Sequence, residues 1–276
     1  MKLKKSFIRE TLGMLLFCFI RIAVPAQALT AELYTASVFT PKDGFTHGVE
    51  GPAVDKTGTI YAVNFARDGT IGMISPAGDA SVFISLPEGS IGNGIRFGNH
   101  GNMLIADYVN HNVFRVDMKT KELKTLAHEP RMTQPNDLAV DSRGHVFASD
   151  PDFKANSGRI WRVDPDGKVS LLDSMSSPAN GIDLSPDEKT FYVSAGKSVY
   201  AYDISKKGEL SHQRLLIAFP DFGVDGLRCD SKGNIYLARF GKGVIAKISP
   251  GGKLLREIIL TGKRCTNVAF GGKDGC

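Results

Sequence analysis

The chain has 276 residues, 42% of them hydrophobic, and a formal net charge of +5. That length buries a full core in one large domain or two small ones, and no segment pairs low hydrophobicity with high charge, which argues against a long disordered tail. Glycine is abundant, at 30 residues, and suits many tight turns and short strands better than long helices.

The N-terminus reads apart from the rest. Lys2, Lys4, Lys5 and Arg9 form a basic region, Leu12 to Ile20 (LGMLLFCFI) an apolar run, and Pro25-Ala26-Gln27-Ala28 a small-x-small cleavage site. That order marks residues 1–28 as a secretory signal peptide, leaving residues 29–276 as the mature domain. The apolar run is short for a bilayer and Arg21 interrupts its end, so no stable membrane span is expected after cleavage. Cys18 follows Phe17 rather than a small residue, which speaks against a lipoprotein. The expected location is the periplasm or the medium. Residues 1–28 hold five basic residues and one acid, so the mature chain carries only +1 and shows no nucleic-acid footprint. Cys229, Cys265 and Cys276 remain, none in a C-x-x-C pair; a Cys229–Cys265 bridge is left open.

"ELYTASVFT", residues 32–40, reads as a strand. A pattern then recurs: "GVEGPAVDKTGTIYAV", "GNGIRFGNHGNMLIAD", "PNDLAVDSRGHVFASD", "ANGIDLSPDEKTFYVS", "VDGLRCDSKGNIYLAR" and "TNVAFGGKDGC". Its phase markers are Glu50, Asn93, Asn136, Asn180, Asp225 and Asn267, spaced 43, 43, 44, 45 and 42 residues apart. Each unit reads as four strands. In the third, "DLAV" is followed by the turn Asp141-Ser-Arg-Gly144, then "HVFAS", "RIWRVD", the turn Asp164-Pro-Asp-Gly167 and "KVSLLD".

Four strands per repeat of this length predict an all-β fold, a β-propeller. Six markers predict six blades. The sixth unit stops at Cys276, just inside its first turn, so the expectation is a propeller truncated in its sixth blade, as a shortened or frameshifted reading frame would leave it. Residues 32–40 are expected as the closing outer strand.

The first strand of each blade lines the axis, so the markers should ring one mouth of the channel. The loops Asp107 to Asn112, Asp150 to Ser157 and Arg239 to Lys242 should open on the same face, where Asp107, Asp150 and Arg239 are candidate contacts for a polar substrate. All six markers offer oxygen. Such a site suits Ca²⁺, then Mg²⁺ or Mn²⁺, and thiolate and imidazole, the usual structural-zinc ligands, are missing from it. Asn is also common before strands as a turn residue; Glu50 weighs against that reading, because Glu is a poor turn residue. Gly196-Lys197-Ser198 lacks the earlier glycine of a phosphate loop, "GSIGNGIRFG" lacks the strand-then-helix setting of a dinucleotide site, and the His residues share no phase, His47 being the one near the mouth.

From about residue 45 onward, "GVEGPAVD", "QPNDLAVDSRGHVFASD", "SPANGIDLSPDEKTFYVS", "GVDGLRCDSKGNIYLA" and "CTNVAFGG" resemble the gluconolactonase, regucalcin (senescence marker protein) and luciferin-regenerating enzyme-like family. The resemblance implies a six-bladed propeller with one divalent cation on its axis (Ca first, with Mg, Mn or Zn as alternatives) and hydrolysis of a small lactone. It implies Glu50, Asn136, Asn180 and Asp225 as metal ligands, Asp225 as acid/base and Asn93 as substrate-facing. The alternatives are a phosphotriesterase or aryl-esterase on the same site, or a non-catalytic NHL-type binding propeller.

Overall fold

The computed structural model describes residues 34–40, 44–46 and 48–271. The signal-peptide segment, His47 and Cys276 lie outside the described residues.

Among the described residues, twenty strands form five antiparallel four-stranded blades. Blade one holds β1 (Ala53–Val54), β2 (Ile60–Val63), β3 (Thr70–Ile74) and β4 (Ala80–Ser85). Blade two holds β5 (Gly92–Phe97), β6 (Met103–Asp107), β7 (Asn112–Val116) and β8 (Leu123–His128). Blade three holds β9 (Leu138–Val140), β10 (Val146–Asp152), β11 (Ser157–Val163) and β12 (Val169–Met175). Blade four holds β13 (Ala179–Leu184), β14 (Thr190–Ala195), β15 (Ser198–Ile204) and β16 (Leu210–Ala218). Blade five holds β17 (Leu227–Cys229), β18 (Ile235–Arg239), β19 (Val244–Ile248) and β20 (Leu254–Ile259). Within each sheet the strands pair in chain order. No helix of the described residues is long and apolar enough to cross a membrane.

Turn chemistry sets the hairpins. Gly144 donates to the Asp141 carbonyl at 3.0 Å and Gly167 to that of Asp164 at 2.8 Å. Both glycines take positive φ, 88° and 91°, which a Cβ disfavours. The period of two sets the core, because alternate residues of one strand face opposite neighbours. Met103 and Ile105 of β6 pack with Val63 and Ile71 of blade one, while Leu104 and Ala106 pack with Leu138 and Trp161 of blade three. Phe147 joins Phe191 and Val193 of blade four, and Tyr192 joins Leu237 and Ile248 of blade five. The cores therefore lie between blades, and each fully buried aliphatic or aromatic side chain there is worth about 1.5–3 kcal/mol.

The expected six-bladed propeller with a truncated sixth blade is not what forms. Residues 260–271, which carry the sixth marker, contain no strand. The segment runs between β17 and blade one. Gly226 donates to the Thr266 carbonyl at 2.7 Å, the Thr266 hydroxyl donates to the Val49 carbonyl at 3.4 Å, and Gly271 lies against Val54. An inner strand is stabilised by the hairpin partner that follows it, and the described residues supply none here. Residues 34–40 likewise form no strand, in place of the expected closing one. Tyr34 instead sits against blade five, its hydroxyl accepting from Lys247 at 3.3 Å and its ring 4.4 Å from the Arg256 guanidinium.

The inner strands approach closely because a glycine follows most markers: Gly51, Gly94, Gly181 and Gly226. A Cβ on Gly94 would stand 2.6 Å from the Asn136 carbonyl oxygen, and one on Gly181 2.5 Å from the Leu227 nitrogen. Asp137 breaks the pattern, and its buried carboxylate enters the axis. It accepts from the Leu138 N–H at 2.9 Å and the Ile182 N–H at 3.3 Å, meets Arg228 at 2.8 Å and faces Arg96 at 3.5 Å.

Gly181→Ala should lower the stability of the protein by about 1–3 kcal/mol, the usual cost of forcing atoms into a packed interior. Urea unfolding checks it, with Gly101→Ala as the strain-only comparison: Gly101 has positive φ, 74°, and open space around it, whereas Gly181 is crowded without positive φ.

Candidate active site

The markers meet where the inner strands begin. Glu50, Asn136 and Asp225 stand just before β1, β9 and β17, whereas Asn93 and Asn180 lie within β5 and β13. All five line one cavity of about 780 Å³. Asn267 reaches the same cluster by donating its amide to Glu50 at 3.2 Å.

Backbone bonds aim each side chain. The Glu50 carbonyl accepts from Val63 at 3.1 Å, and its carboxylate accepts from the Gly51 N–H at 2.9 Å. Asn136 donates its N–H to Ser149 at 2.8 Å, and its carbonyl accepts from Gly94 at 2.6 Å and from the Asn93 amide at 3.1 Å. The Asp225 N–H donates to Ala238 at 3.0 Å, and its carbonyl accepts from the Ser194 hydroxyl at 2.6 Å.

Two features of the cluster are unbalanced. The side-chain oxygens Oδ1 of Asn136 and Asn180 are buried and have no hydrogen-bond partner, although buried polar atoms are nearly always partnered. Burial also pushes the Asp225 carboxyl up to about 9, with the negative charges of Glu50 and Asp137 adding to the rise and the Asn180 amide and Gly226 N–H opposing it. Burial raises Glu50 as well, against its bonds from Gly51 and Asn267. Two carboxyl groups that resist ionising and two orphaned amide oxygens fit a hard divalent cation, which would satisfy all four. Among the described residues no three His, Cys, Asp or Glu side chains cluster to hold a metal, so such an ion rests on two carboxylates and amide oxygen.

Asp107, Asp150 and Arg239 are brought to the mouth-side loops but do not line the cavity; all three are fully buried. Asp107 accepts from the N–H groups of Ile91, Val109 and Asn110 at 3.2–3.4 Å, and from Ser90 and Asn112 side chains at 2.8 and 2.7 Å. Asp150 accepts from the Thr133 and Gln134 N–H groups at 2.7 Å each and from the Trp161 indole at 2.9 Å, with Arg159 at 3.1 Å. Arg239 donates to the Asp221 carboxylate at 2.7 Å and stacks 3.6 Å over the Phe219 ring. These three shape the loops from inside.

The wall of the cavity comes from residues the sequence reading passed over: Arg67 and Asp68 from the β2–β3 loop, Tyr108 and Val109 from the β6–β7 loop, and Phe153 from the β10–β11 loop. The available signal was proximity, since Tyr108, Val109 and Phe153 follow Asp107 and Asp150 by one to three residues. Cys229 and Cys265 are both free thiols, so the bridge left open by the sequence is not formed.

The raised Asp225 fixes the sign of a pH effect. Its proton stays on in the folded chain up to about 9, whereas in the unfolded chain it leaves near 4. Folding then binds a proton across that window, so stability is greatest at its acid end and is lost as pH rises. In chelator, Asp225→Asn should flatten this loss and raise the neutral-pH unfolding midpoint. Calcium should raise the midpoint of the parent and much less that of the variant. Thermal unfolding from pH 4 to 9 checks both.

The same chain has recognisable relatives. A gluconolactonase from Zymomonas mobilis is 26% identical over 262 residues, spanning 81% of this chain and 73% of that protein. The pentonolactonase XacC of Haloferax volcanii is 29% identical over 164 residues, 58% of this chain and 56% of its own length. The crystal structure of the calcium-binding protein regucalcin from Agrobacterium tumefaciens superposes with a TM-score of 0.72 at 26% identity, covering 82% of this chain and 79% of that one. The family model for the SMP-30/Gluconolactonase/LRE-like region matches residues 27–275, and the chain belongs to that family.

Proposed function

We propose that this protein is a divalent-metal-dependent lactonase. The observation that carries the reading is the pairing of the orphaned Oδ1 atoms of Asn136 and Asn180 with two carboxyl groups, Glu50 and Asp225, that burial holds off ionisation. Relatives named for lactone hydrolysis support it.

Glu50, Asn136, Asn180 and Asp225 would hold the cation through oxygen, calcium being the first candidate. When bound, a divalent ion supplies Lewis-acid polarisation of a carbonyl oxygen. Asp225 receives the proton of the attacking water at a carboxylate oxygen and returns it to the ring oxygen that leaves. Burial raises the proton affinity of Asp225 and a bound cation would lower it again, so Asp225 would take the proton at the carboxylate oxygen left free of the cation. Asn93, which lines the cavity beside Asn136, orients the lactone. Two carboxyl groups held beside each other repel unless a cation or a proton joins them, which favours this reading over a propeller that only presents its face to a protein or glycan.

Asp225→Asn should lower kcat for lactone opening by about 10²–10⁴-fold, the range for loss of a positioned acid/base. Chelator should abolish turnover and calcium restore it. Metal retained at full stoichiometry by the Glu50→Gln, Asp225→Asn double variant would sink the ligand assignment. Hydrolysis of aryl esters or phosphotriesters without lactones would transfer the site to the rival chemistry.

Export belongs to the same proposal and rests on the pattern of residues 1–28. N-terminal sequencing of the mature protein should begin at Leu29.

A further inference from the structure

The cavity wall is divided by chemistry. On the blade-one side stand Thr46, Asn64, Arg67 and Asp68; on the side of blades two and three stand Tyr108, Val109 and Phe153. The polar side is largely committed to the protein itself. Asn64 donates to the Gly48 carbonyl at 2.9 Å and accepts from the Gly69 N–H at 3.2 Å. Asp68 accepts from the Thr46 hydroxyl at 2.8 Å, and Arg67 donates to the Ser85 hydroxyl at 2.8 Å. Asn93 gives its amide to the Asn136 carbonyl, and Thr266 its hydroxyl to Val49. A ligand with a hydroxyl on every carbon needs several free donors and acceptors around it; among the described residues outside the Glu50–Asp225 cluster, spare capacity lies with Arg67, Asp68, the Asn93 side-chain oxygen and the Tyr108 hydroxyl, while Val109 and Phe153 offer none.

The apolar side is uncommitted. Val109 is 44% exposed and Phe153 53% exposed. Neither sits on a loose loop. Asp107 holds the Val109 N–H at 3.4 Å, Tyr108 donates its N–H to the Ile91 carbonyl at 2.8 Å, and Asp152 accepts from Ala155 at 2.8 Å under the Phe153 turn. A wall of large apolar side chains, held in place beside a polar cluster, is a surface whose contact with water costs free energy until a ligand covers it.

We propose that the substrate is a lactone carrying an alkyl or aryl arm, with its ring over the Glu50–Asp225 cluster and its arm against Tyr108, Val109 and Phe153. The proposal rests on the lactonase reading and narrows it away from polyhydroxylated sugar lactones. Preorganisation of the wall means that covering it costs little ordering entropy, so the arm contributes to binding almost in proportion to the area it hides.

Steady-state kinetics of the full chain in calcium test it, with δ-nonalactone, δ-valerolactone and D-gluconolactone as substrates. The butyl arm of δ-nonalactone should raise kcat/KM about tenfold or more over δ-valerolactone, the effect of half-burying four methylene groups. In the Val109→Ser, Phe153→Ser double variant that ratio should fall to about two, by the same measure of buried area. Leu171→Ser, which removes a hydrophobe 45% exposed on the outer strand β12, should leave the ratio as in the parent. D-gluconolactone turned over as well as δ-nonalactone, or a ratio the double variant does not move, overturns the inference while leaving the lactonase reading intact. Failure to open any lactone overturns the lactonase reading instead. Calorimetry with the butyl-substituted and unsubstituted δ-lactams then decides the arm site without turnover. Tighter binding of the butyl compound, lost in the double variant, supports it, and equal affinities refute it.

Discussion

The carboxylate of Asp137 ties four of the five inner strands to one point. It belongs to the start of β9, takes an N–H from β13, and meets arginines from β5 and β17. It is fully buried, and Arg228 is 6% exposed. A lone charge at that depth is untenable, and removing either partner of such a pair strands the other. The two guanidinium groups and two N–H groups around Asp137 are therefore a condition of the axis existing at all. Where the other blades keep a small residue after the marker so that backbones can touch, blade three places this carboxylate and lets arginines from both sides close over it.

The oxygen cluster stands directly on that arrangement. Asn136 precedes Asp137 in the chain, and its carbonyl holds both the Gly94 N–H and the Asn93 amide. With its backbone carbonyl so engaged and its neighbour anchored, Asn136 has its side-chain oxygen fixed toward a space with no donor. Asn180 reaches the same condition on β13. Hydrogen bonds that leave two acceptors unmet, next to two carboxyl groups that burial discourages from ionising, store a demand for positive charge in the fold. The protein rigidifies that demand with interblade cores rather than with a sheet running through the middle.

Around this centre the same acids that sequence singles out as contacts act one layer further in. Asp107 and Asp150 end or nearly end their second strands, where the chain turns and several N–H groups lose their ladder partners at once. A carboxylate is the group that satisfies them together, and it becomes buried in doing so. The next residues along, Tyr108, Val109 and Phe153, are thereby turned outward into the mouth. The exposure of Val109 and Phe153 follows from loop geometry, which the order of residues along the chain does not encode.

What the sequence by itself determined is the repeat, the four-stranded unit, the turn glycines and the oxygen-only chemistry of the markers. These depend on local periodicity and residue type, which chain order preserves. The markers' common phase also determined that Glu50, Asn93, Asn136, Asn180 and Asp225 stand at the starts of neighbouring inner strands, and they line one cavity. Only the tertiary structure decided that five blades form, with the sixth marker held as an extended segment between β17 and blade one. It also decided that Asp107, Asp150 and Arg239 turn inward and that two amide oxygens are left without partners. The reason is physical: burial and hydrogen-bond satisfaction depend on which blade faces which, and that is a property of the packed ring rather than of any stretch of forty-odd residues.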